Sequence, residues 1–287
     1  MPGSGGARRP GGGGASAGVS ASASAGVSAS AGVSASAGVS VFVSNGGVRL
    51  HVLDNGRTGA ARPPVLVVPG MGEYAAEYAW LLGRLGDRRV LVADVRGRGG
   101  SDAPPAGYRW QDHVGDLRAV VESLGLDQLV LVAFSRGSSY ALGYALESAG
   151  QGGGLVRGRV RGLVVGDYSA RHVGLPAEFA ERQLRAEIRG VAVAERMPGH
   201  AVRAVVTDSR EVPLWDRLPE LGCPVLVVRG GSPGRVVTDE LAGRWQASLP
   251  SVELAVIAGA GHDLWGRDPD AYLAVLRPFL DRIGPAA

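Results

Sequence analysis

The chain has 287 residues, and its 30 basic residues are all arginine against 27 acidic ones, so the formal charge is only +3. Because it has no lysine, a Schiff-base lysine and a P-loop lysine are excluded, and the interleaving of arginines with acids argues against nucleic-acid binding. No apolar run approaches the roughly 20 residues that span a bilayer, so we expect no membrane segment. The only cysteine, Cys223, excludes an intramolecular disulfide, and we expect a cytoplasmic protein.

Residues 1–40 are almost entirely Gly, Ala, Ser and Val in a short repeat. Such a stretch buries too little apolar surface to offset its conformational entropy, and it lacks the leucine-rich segment of a secretory signal. We therefore predict a disordered low-complexity tail at 1–40 and one folded domain at 41–287. A start site assigned too far upstream would also produce such a tail, and N-terminal sequencing of the native protein would test this alternative.

The rest of the chain alternates apolar strands with amphipathic helices. Val41–Val43 and Val48–Leu53 flank turn residues and predict a hairpin. The order of the later elements predicts an α/β fold, with a mostly parallel, doubly wound sheet and helices on both faces. The strands are expected at Val65–Val68, Val90–Ala93, Leu129–Val132, Gly162–Val165, Pro224–Val228 and Glu253–Ile257, and the helices at Tyr78–Leu85, Trp110–Leu124, Tyr140–Ser148, Asp239–Leu249 and Asp268–Ile283.

An insertion of about residues 170–222 interrupts this alternation. Its apolar positions Ala180, Leu184 and Ile188 recur at helical spacing among many charges. These residues could be solvated surface helices, but they follow a strand whose carboxyl end lies where ligands bind in open α/β sheets. We therefore predict a small lid over that edge of the sheet.

Ser135 lies at a sharp turn between the strand Leu129–Val132 and the helix that follows. The turn reads Ala-Phe-Ser-Arg-Gly, close to the G-x-S-x-G pattern that lifts a serine clear of the backbone at a helix N-terminus. Alanine at the first position is small enough for such a turn. A serine that merely caps the helix is the alternative.

Four motifs, taken in order, resemble the α/β-hydrolase fold family over about residues 41–285. The first is Pro69-Gly70-Met71-Gly72 after the third strand, and the second is the loop Asp94–Ser101, similar to D-x-R-G-x-G-x-S. The third is the serine turn, and the fourth is Gly259-Ala260-Gly261-His262 after the last strand.

The resemblance implies roles for several of these residues. Ser135 would be the nucleophile and His262 its general base, since a serine hydroxyl needs a base near neutral pH. The backbone N–H groups of Met71 and Arg136 would form the oxyanion hole. The Arg136 side chain could recognise an anionic substrate or point into the helix, and His172, near the site, is a minor candidate. Asp94 is expected only to hold its loop.

The acid that orients His262 is harder to find. Relatives often place an aspartate after the penultimate strand, where this chain has Arg229–Arg235 without a carboxylate. We predict Asp167 instead, since it ends the strand after the nucleophile helix and some members of the fold draw the acid from there. Asp239 and Glu240 are the competitors, but they are typical of a helix start.

Together these features predict a hydrolase that needs no cofactor or metal. It would cleave a small ester, thioester, lactone or amide through an acyl-enzyme on Ser135. Two alternatives remain: a C–C hydrolase or lyase that uses the same residues, and a non-catalytic binding protein of the same fold. The sequence leaves the substrate's identity and the oligomeric state open.

Overall fold

The computed structural model describes residues 38–150 and 158–284, in which the predicted strands form one eight-stranded sheet. The first two pairs of neighbours in sheet order are antiparallel, and the remaining five pairs are parallel. The strands are β1 (Val39–Asn45), β2 (Val48–Asp54), β3 (Val65–Val68), β4 (Val90–Ala93), β5 (Leu129–Phe134), β6 (Val160–Gly166), β11 (Val225–Gly230) and β12 (Glu253–Ile257), in the sheet order β1-β2-β4-β3-β5-β6-β11-β12.

Helices cover both faces of this sheet, as predicted for a doubly wound fold. They are α1 (Trp110–Ser123), α2 (Arg136–Ala149), α6 (Asp239–Ser248) and α7 (Pro269–Arg282). One face packs Leu117 of α1 and Trp245 of α6 against the sheet, and the other packs Leu276 of α7. All four residues of β3 are buried, because a central parallel strand faces apolar side chains on both sides.

Two boundaries differ from the sequence prediction. Strand β1 begins at Val39, so Val39 and Ser40 belong to the sheet, while residues 1–37 of the predicted tail lie outside the described ranges. The helix expected over Tyr78–Leu85 is instead a short 3₁₀ segment at Ala75–Leu81. Single turns follow it, in which the amides of Leu82 and Arg84 donate to the carbonyls of Ala79 and Leu81, and Gly86 at φ +68° then turns the chain out of the helical conformation.

The insertion at 170–222 folds over the carboxyl ends of the strands. It consists of β7 (Arg171–His172), α3 (Glu178–Leu184), β8 (Glu187–Ile188), β9 (Val191–Ala192), α4 (Val193–Arg196), α5 (Gly199–Asp208), β10 (Val212–Pro213) and a 3₁₀ segment at Trp215–Glu220. A small apolar core of its own joins Val193, Met197 and Val202 to Tyr108, which precedes α1. In the described part of the chain, no helix has both the length and the apolar character that crossing a bilayer requires.

Candidate active site

Ser135 occupies the tight turn between β5 and α2. Its backbone adopts φ +49° and ψ −131°, a conformation that L-residues rarely take. Gly137, the second residue of α2, packs against the loop after β3. A Cβ at this position would lie 2.3 Å from the Pro69 carbonyl oxygen, so the close approach requires glycine. The serine side chain therefore stands at the N-terminus of α2, clear of its own backbone.

His262 reaches Ser135 from the loop after β12. Its Nε2 atom lies 3.0 Å from Ser135 Oγ, and its ring packs against Phe134 with the ring centroids 4.9 Å apart. The loop after β12 packs closely against the end of β11 because Gly230 has no side chain. A Cβ on Gly230 would lie 2.1 Å from the Gly261 carbonyl oxygen.

Asp167 binds the other side of the His262 ring. It directly follows β6, is fully buried, and places Oδ2 2.8 Å from His262 Nδ1. A carboxylate only accepts hydrogen bonds, so Nδ1 carries the proton and Nε2 is free to accept one from the serine. The amides of Val236 and Val237 donate to the same carboxylate at 2.8 and 2.9 Å.

The competing acids lie away from His262. Asp239 begins α6 with its side chain largely exposed, and it pairs with Arg229 at 2.5 Å and with Arg235 at 3.8 Å. These interactions with Arg229 lower the pKa of Asp239. Glu240 is also exposed, on the first turn of the same helix. The loop after β11 thus supplies two amides to Asp167 rather than a carboxylate to His262.

The loop after β3 packs against Ser135. A Cβ on Gly70 would lie 3.1 Å from Ser135 Cβ, and Gly72 takes φ +76°. Glu73 stabilises this turn by accepting from the Gly70 amide at 2.9 Å and from the Tyr78 hydroxyl at 2.5 Å. Met71 lies within the turn. Arg136 is the first residue of α2, and its backbone amide has no acceptor within the helix, as is usual in the first turn of a helix.

A cavity of about 280 Å³ opens above Ser135 and His262. Its walls include Met71 and Phe134 from the sheet side and Ile188 from the lid. The lid contributes the hairpin β8–β9, whose turn residues Arg189 and Gly190 both have positive φ. The insertion at 170–222, for which we keep the name lid, therefore borders the candidate site through a hairpin, which the helical spacing of its sequence did not indicate.

Arg189 at the tip of this hairpin binds three carboxylates, and no sequence signal pointed to it. Its guanidinium donates to Asp263 at 2.9 Å, to Glu73 at 2.9 Å and to Glu77 at 3.1 Å. A second lid arginine, Arg196, lies 2.7 Å from Glu77. Burial and then the charge of Glu73 raise the pKa of Glu77, while the two arginines oppose this rise.

The Arg136 side chain turns away from the cavity and into the base of the lid. It is buried, and it donates to His172 Nε2 at 2.7 Å, to Ser209 Oγ at 2.8 Å and to the Val173 carbonyl at 2.9 Å. Burial and then the Arg136 charge lower the pKa of His172 to about 2, so this imidazole is neutral. His172 therefore stabilises the lid base and does not contact Ser135 or His262.

A second serine–histidine–aspartate chain lies outside this site. His51 Nε2 is 2.9 Å from Ser40 Oγ, and His51 Nδ1 is 2.7 Å from Asp94 Oδ2. Asp94 also accepts from the amides of Ala75 and Gly100, as expected of a residue that holds its loop. Ser40 belongs to the regular strand β1 and has neither a tight turn nor a helix N-terminus beside it.

Comparison with known proteins agrees with this architecture. The sequence model of the alpha/beta hydrolase family matches residues 65–275. The chain belongs to the alpha/beta hydrolase family. It is 26% identical to the N-formylmaleamate deformylase of Pseudomonas putida over 83% of this chain and 95% of that protein. It is 24% identical to the 2-(acetamidomethylene)succinate hydrolase of Mesorhizobium japonicum, over 83% and 94%.

Comparison with solved structures supports the same fold. A thermophilic esterase from Thermogutta terrifontis superposes with a TM-score of 0.71 at 24% identity, over 85% of this chain and 99% of that structure.

Among residues 38–150 and 158–284, no group of three or more His, Cys, Asp or Glu side chains could hold a metal ion.

Proposed function

We propose that the protein is a serine hydrolase that cleaves a small ester, thioester, lactone or amide through an acyl-enzyme on Ser135. The observation that carries this proposal is the continuous hydrogen-bonded chain from Asp167 through His262 to Ser135. Its order along the sequence, Ser, Asp, His, is the one this fold uses. The names of two relatives, the N-formylmaleamate deformylase and the 2-(acetamidomethylene)succinate hydrolase, support a hydrolytic reaction.

In the first half of the proposed reaction, Ser135 Oγ attacks the carbonyl carbon of the substrate. His262 Nε2 takes the hydroxyl proton as the new C–O bond forms, and Asp167 stabilises the resulting imidazolium. The amides of Met71 and Arg136 are the donors we assign to the oxyanion of the tetrahedral intermediate. The intermediate then collapses, and His262 returns the proton to the leaving group.

In the second half, water replaces the leaving group. His262 takes a proton from the water as it attacks the acyl carbon, a second tetrahedral intermediate forms, and the acid product leaves as Ser135 regains its proton. The lid hairpin above the cavity limits the substrate to a small acyl group, in keeping with a volume of about 280 Å³.

The decisive experiment is covalent labelling with a fluorophosphonate, followed by mass spectrometry of the intact protein. We expect one adduct on the wild-type chain, located on Ser135 and absent from the Ser135→Ala variant. Hydrolysis of a panel of p-nitrophenyl esters and thioesters should be lost in the same variant. An unlabelled wild-type protein, or an adduct that persists in Ser135→Ala, would favour the non-catalytic alternative.

A further inference from the structure

The cavity above Ser135 has an acidic wall. Three carboxylates line it, those of Glu73, Glu187 and Asp263, and Arg189 is the one arginine that lines it in the described part of the chain. The charge that a bound substrate meets therefore depends on how these four side chains are paired.

Arg189 has no free pair of donors for an anionic substrate. Its Nε and Nη2 atoms donate to the two carboxylate oxygens of Asp263 at 3.2 and 2.9 Å, and its Nη1 donates to Glu73 and Glu77 at 2.9 and 3.1 Å. Burial would raise the pKa of Asp263, but the hydrogen bond and charge of Arg189 lower it overall, so this carboxyl group stays ionised. Because Arg196 pairs with Glu77 at 2.7 Å, Glu73 and Asp263 share the charge of Arg189 and keep an excess of one negative charge.

Glu187 adds a second negative charge to the cavity wall. It is the first residue of β8, directly before Ile188, and it is exposed. Unlike the acids around Arg189, Glu187 forms an ion pair with no residue among 38–150 and 158–284. Its carboxylate can therefore contact a bound cation without first leaving another partner.

The positive charge on the other side of the cavity is smaller. The N-terminus of α2, beside Ser135, carries about half an elementary charge. The Arg136 guanidinium turns into the base of the lid, and His262 is neutral in the resting site because its Nε2 accepts from the serine. The excess negative charge of the wall is therefore not compensated near the reacting carbonyl.

We propose that this cavity selects substrates with a positively charged acyl group, and that Glu187 is the residue that determines this specificity. The proposal rests on the proposed function, because the selected group is an ammonium attached to the acyl part of the cleaved ester or amide. Met71, Phe134 and Ile188 would contact its carbon atoms, and the face of the Phe134 ring adds an attraction for a cation. A carboxylate on the acyl group would be repelled.

Three p-nitrophenyl esters with the same leaving group test this proposal on the full chain. Their acyl groups are 4-(trimethylammonio)butanoyl, its uncharged isostere 5,5-dimethylhexanoyl, and glutaryl with a free carboxylate. After subtraction of spontaneous hydrolysis, we expect kcat/KM of the cationic ester to exceed that of the glutaryl ester on the order of tenfold, since one contact between unit charges in water is worth about fivefold. Added salt should reduce this preference.

Glu187→Gln removes the charge and keeps the shape of the side chain. It should reduce the ratio of kcat/KM between the cationic ester and its uncharged isostere by about fivefold, a comparison in which the intrinsic reactivities of the two esters cancel. Glu178→Gln is the matched control, because Glu178 is an exposed lid glutamate on α3 that does not line the cavity. This variant changes the net charge equally and should keep the wild-type ratio.

Two outcomes would overturn the proposal: the same ratio in Glu187→Gln and Glu178→Gln, or a wild-type preference for the glutaryl ester. Glu187→Lys extends the test, since a positive charge at this position should favour the glutaryl ester over the cationic one.

A binding measurement separates this proposal from the proposed hydrolysis, which fails by itself if no ester is turned over and Ser135 is not labelled. Choline and its uncharged isostere 3,3-dimethylbutanol are then compared as ligands by NMR. The affinity of choline relative to the alcohol should fall by about fivefold in Glu187→Gln and stay constant in Glu178→Gln. An unchanged relative affinity in Glu187→Gln would refute the assignment of Glu187.

Discussion

His262 Nδ1 lies 2.8 Å from Oδ2 of Asp167, a residue that directly follows β6 and is separated from the histidine by 95 positions. The buried carboxylate of Asp167 fixes the tautomer of the His262 imidazole, and it would stabilise the positive charge that forms on the ring when His262 takes a proton. Asp167→Asn should therefore lower kcat by on the order of 10³–10⁴ with little change in fold. Steady-state kinetics and circular dichroism would measure this, with Asp239→Asn as the control of near-normal activity. A dead Asp239→Asn beside an active Asp167→Asn would contradict the assignment.

The chain Ser40–His51–Asp94 offers an internal control for the nucleophile. It has the same three residue types and similar distances, but Ser40 is held in a regular strand. We expect Ser40→Ala to keep full turnover and full fluorophosphonate labelling, and to lose about 1 kcal/mol of folding stability with its hydrogen bond. Labelling on Ser40, or loss of turnover in this variant, would show that hydrogen-bonded distances alone make a reactive serine.

Arg189 connects the lid to both sides of the candidate site. It binds Asp263, the neighbour of His262, and Glu73, which holds the turn containing Met71. Arg189→Gln should lower kcat/KM on the order of ten- to a hundredfold, because small displacements of the reacting groups have effects of this size. Arg203→Gln removes another lid arginine from an exposed ion pair and should have little effect. Equal activities in the two variants would argue against this coupling.

The buried His172 should make the protein sensitive to mild acid. Burial and the Arg136 charge hold its pKa at about 2, far below its ordinary value, so the folded protein keeps it neutral while the unfolded chain takes up a proton below about pH 6.5. The neutral His172 therefore makes its full contribution to the free energy of unfolding above pH 6.5, and this contribution decreases as the pH falls. Between pH 7.5 and 5.5 this one group should reduce the free energy of unfolding by about 1.4 kcal/mol.

Urea unfolding at several pH values would measure this dependence. His172→Asn removes one titrating group and should make the curve less steep, whatever its effect on stability at pH 7.5. Part of the slope should remain, because burial also lowers the pKa of His113 well below its ordinary value. His200 is an exposed histidine on the lid, and His200→Asn should leave the curve unchanged. An unchanged slope in His172→Asn would show that other groups account for the acid sensitivity.

The candidate site could be read from the sequence where its residues follow local patterns. Ser135 was indicated by a strand, a tight turn and a helix within about 15 residues, and His262 by a glycine-rich loop after the last strand. A local pattern was not sufficient to predict Asp167, because the loop after β11, where relatives often have the acid, lacks a carboxylate. It was predicted from two arguments: the ends of parallel strands meet at one edge of the sheet, and some members of the family that the sequence resembles draw the acid from this strand.

By itself, the sequence determined the alternation of strands and helices and the family, and it indicated Ser135 and His262 as candidate site residues. These depend on hydrophobic periodicity and on short turns, which are properties of neighbouring residues. The tertiary structure decided which acid contacts His262, that the lid reaches the candidate site through Arg189, and that Arg136 turns inward to His172. It also buries Arg98 with no hydrogen-bond partner in the described part of the chain. Such contacts join residues tens to hundreds of positions apart, and no local pattern specifies which charged side chain is buried and which is paired.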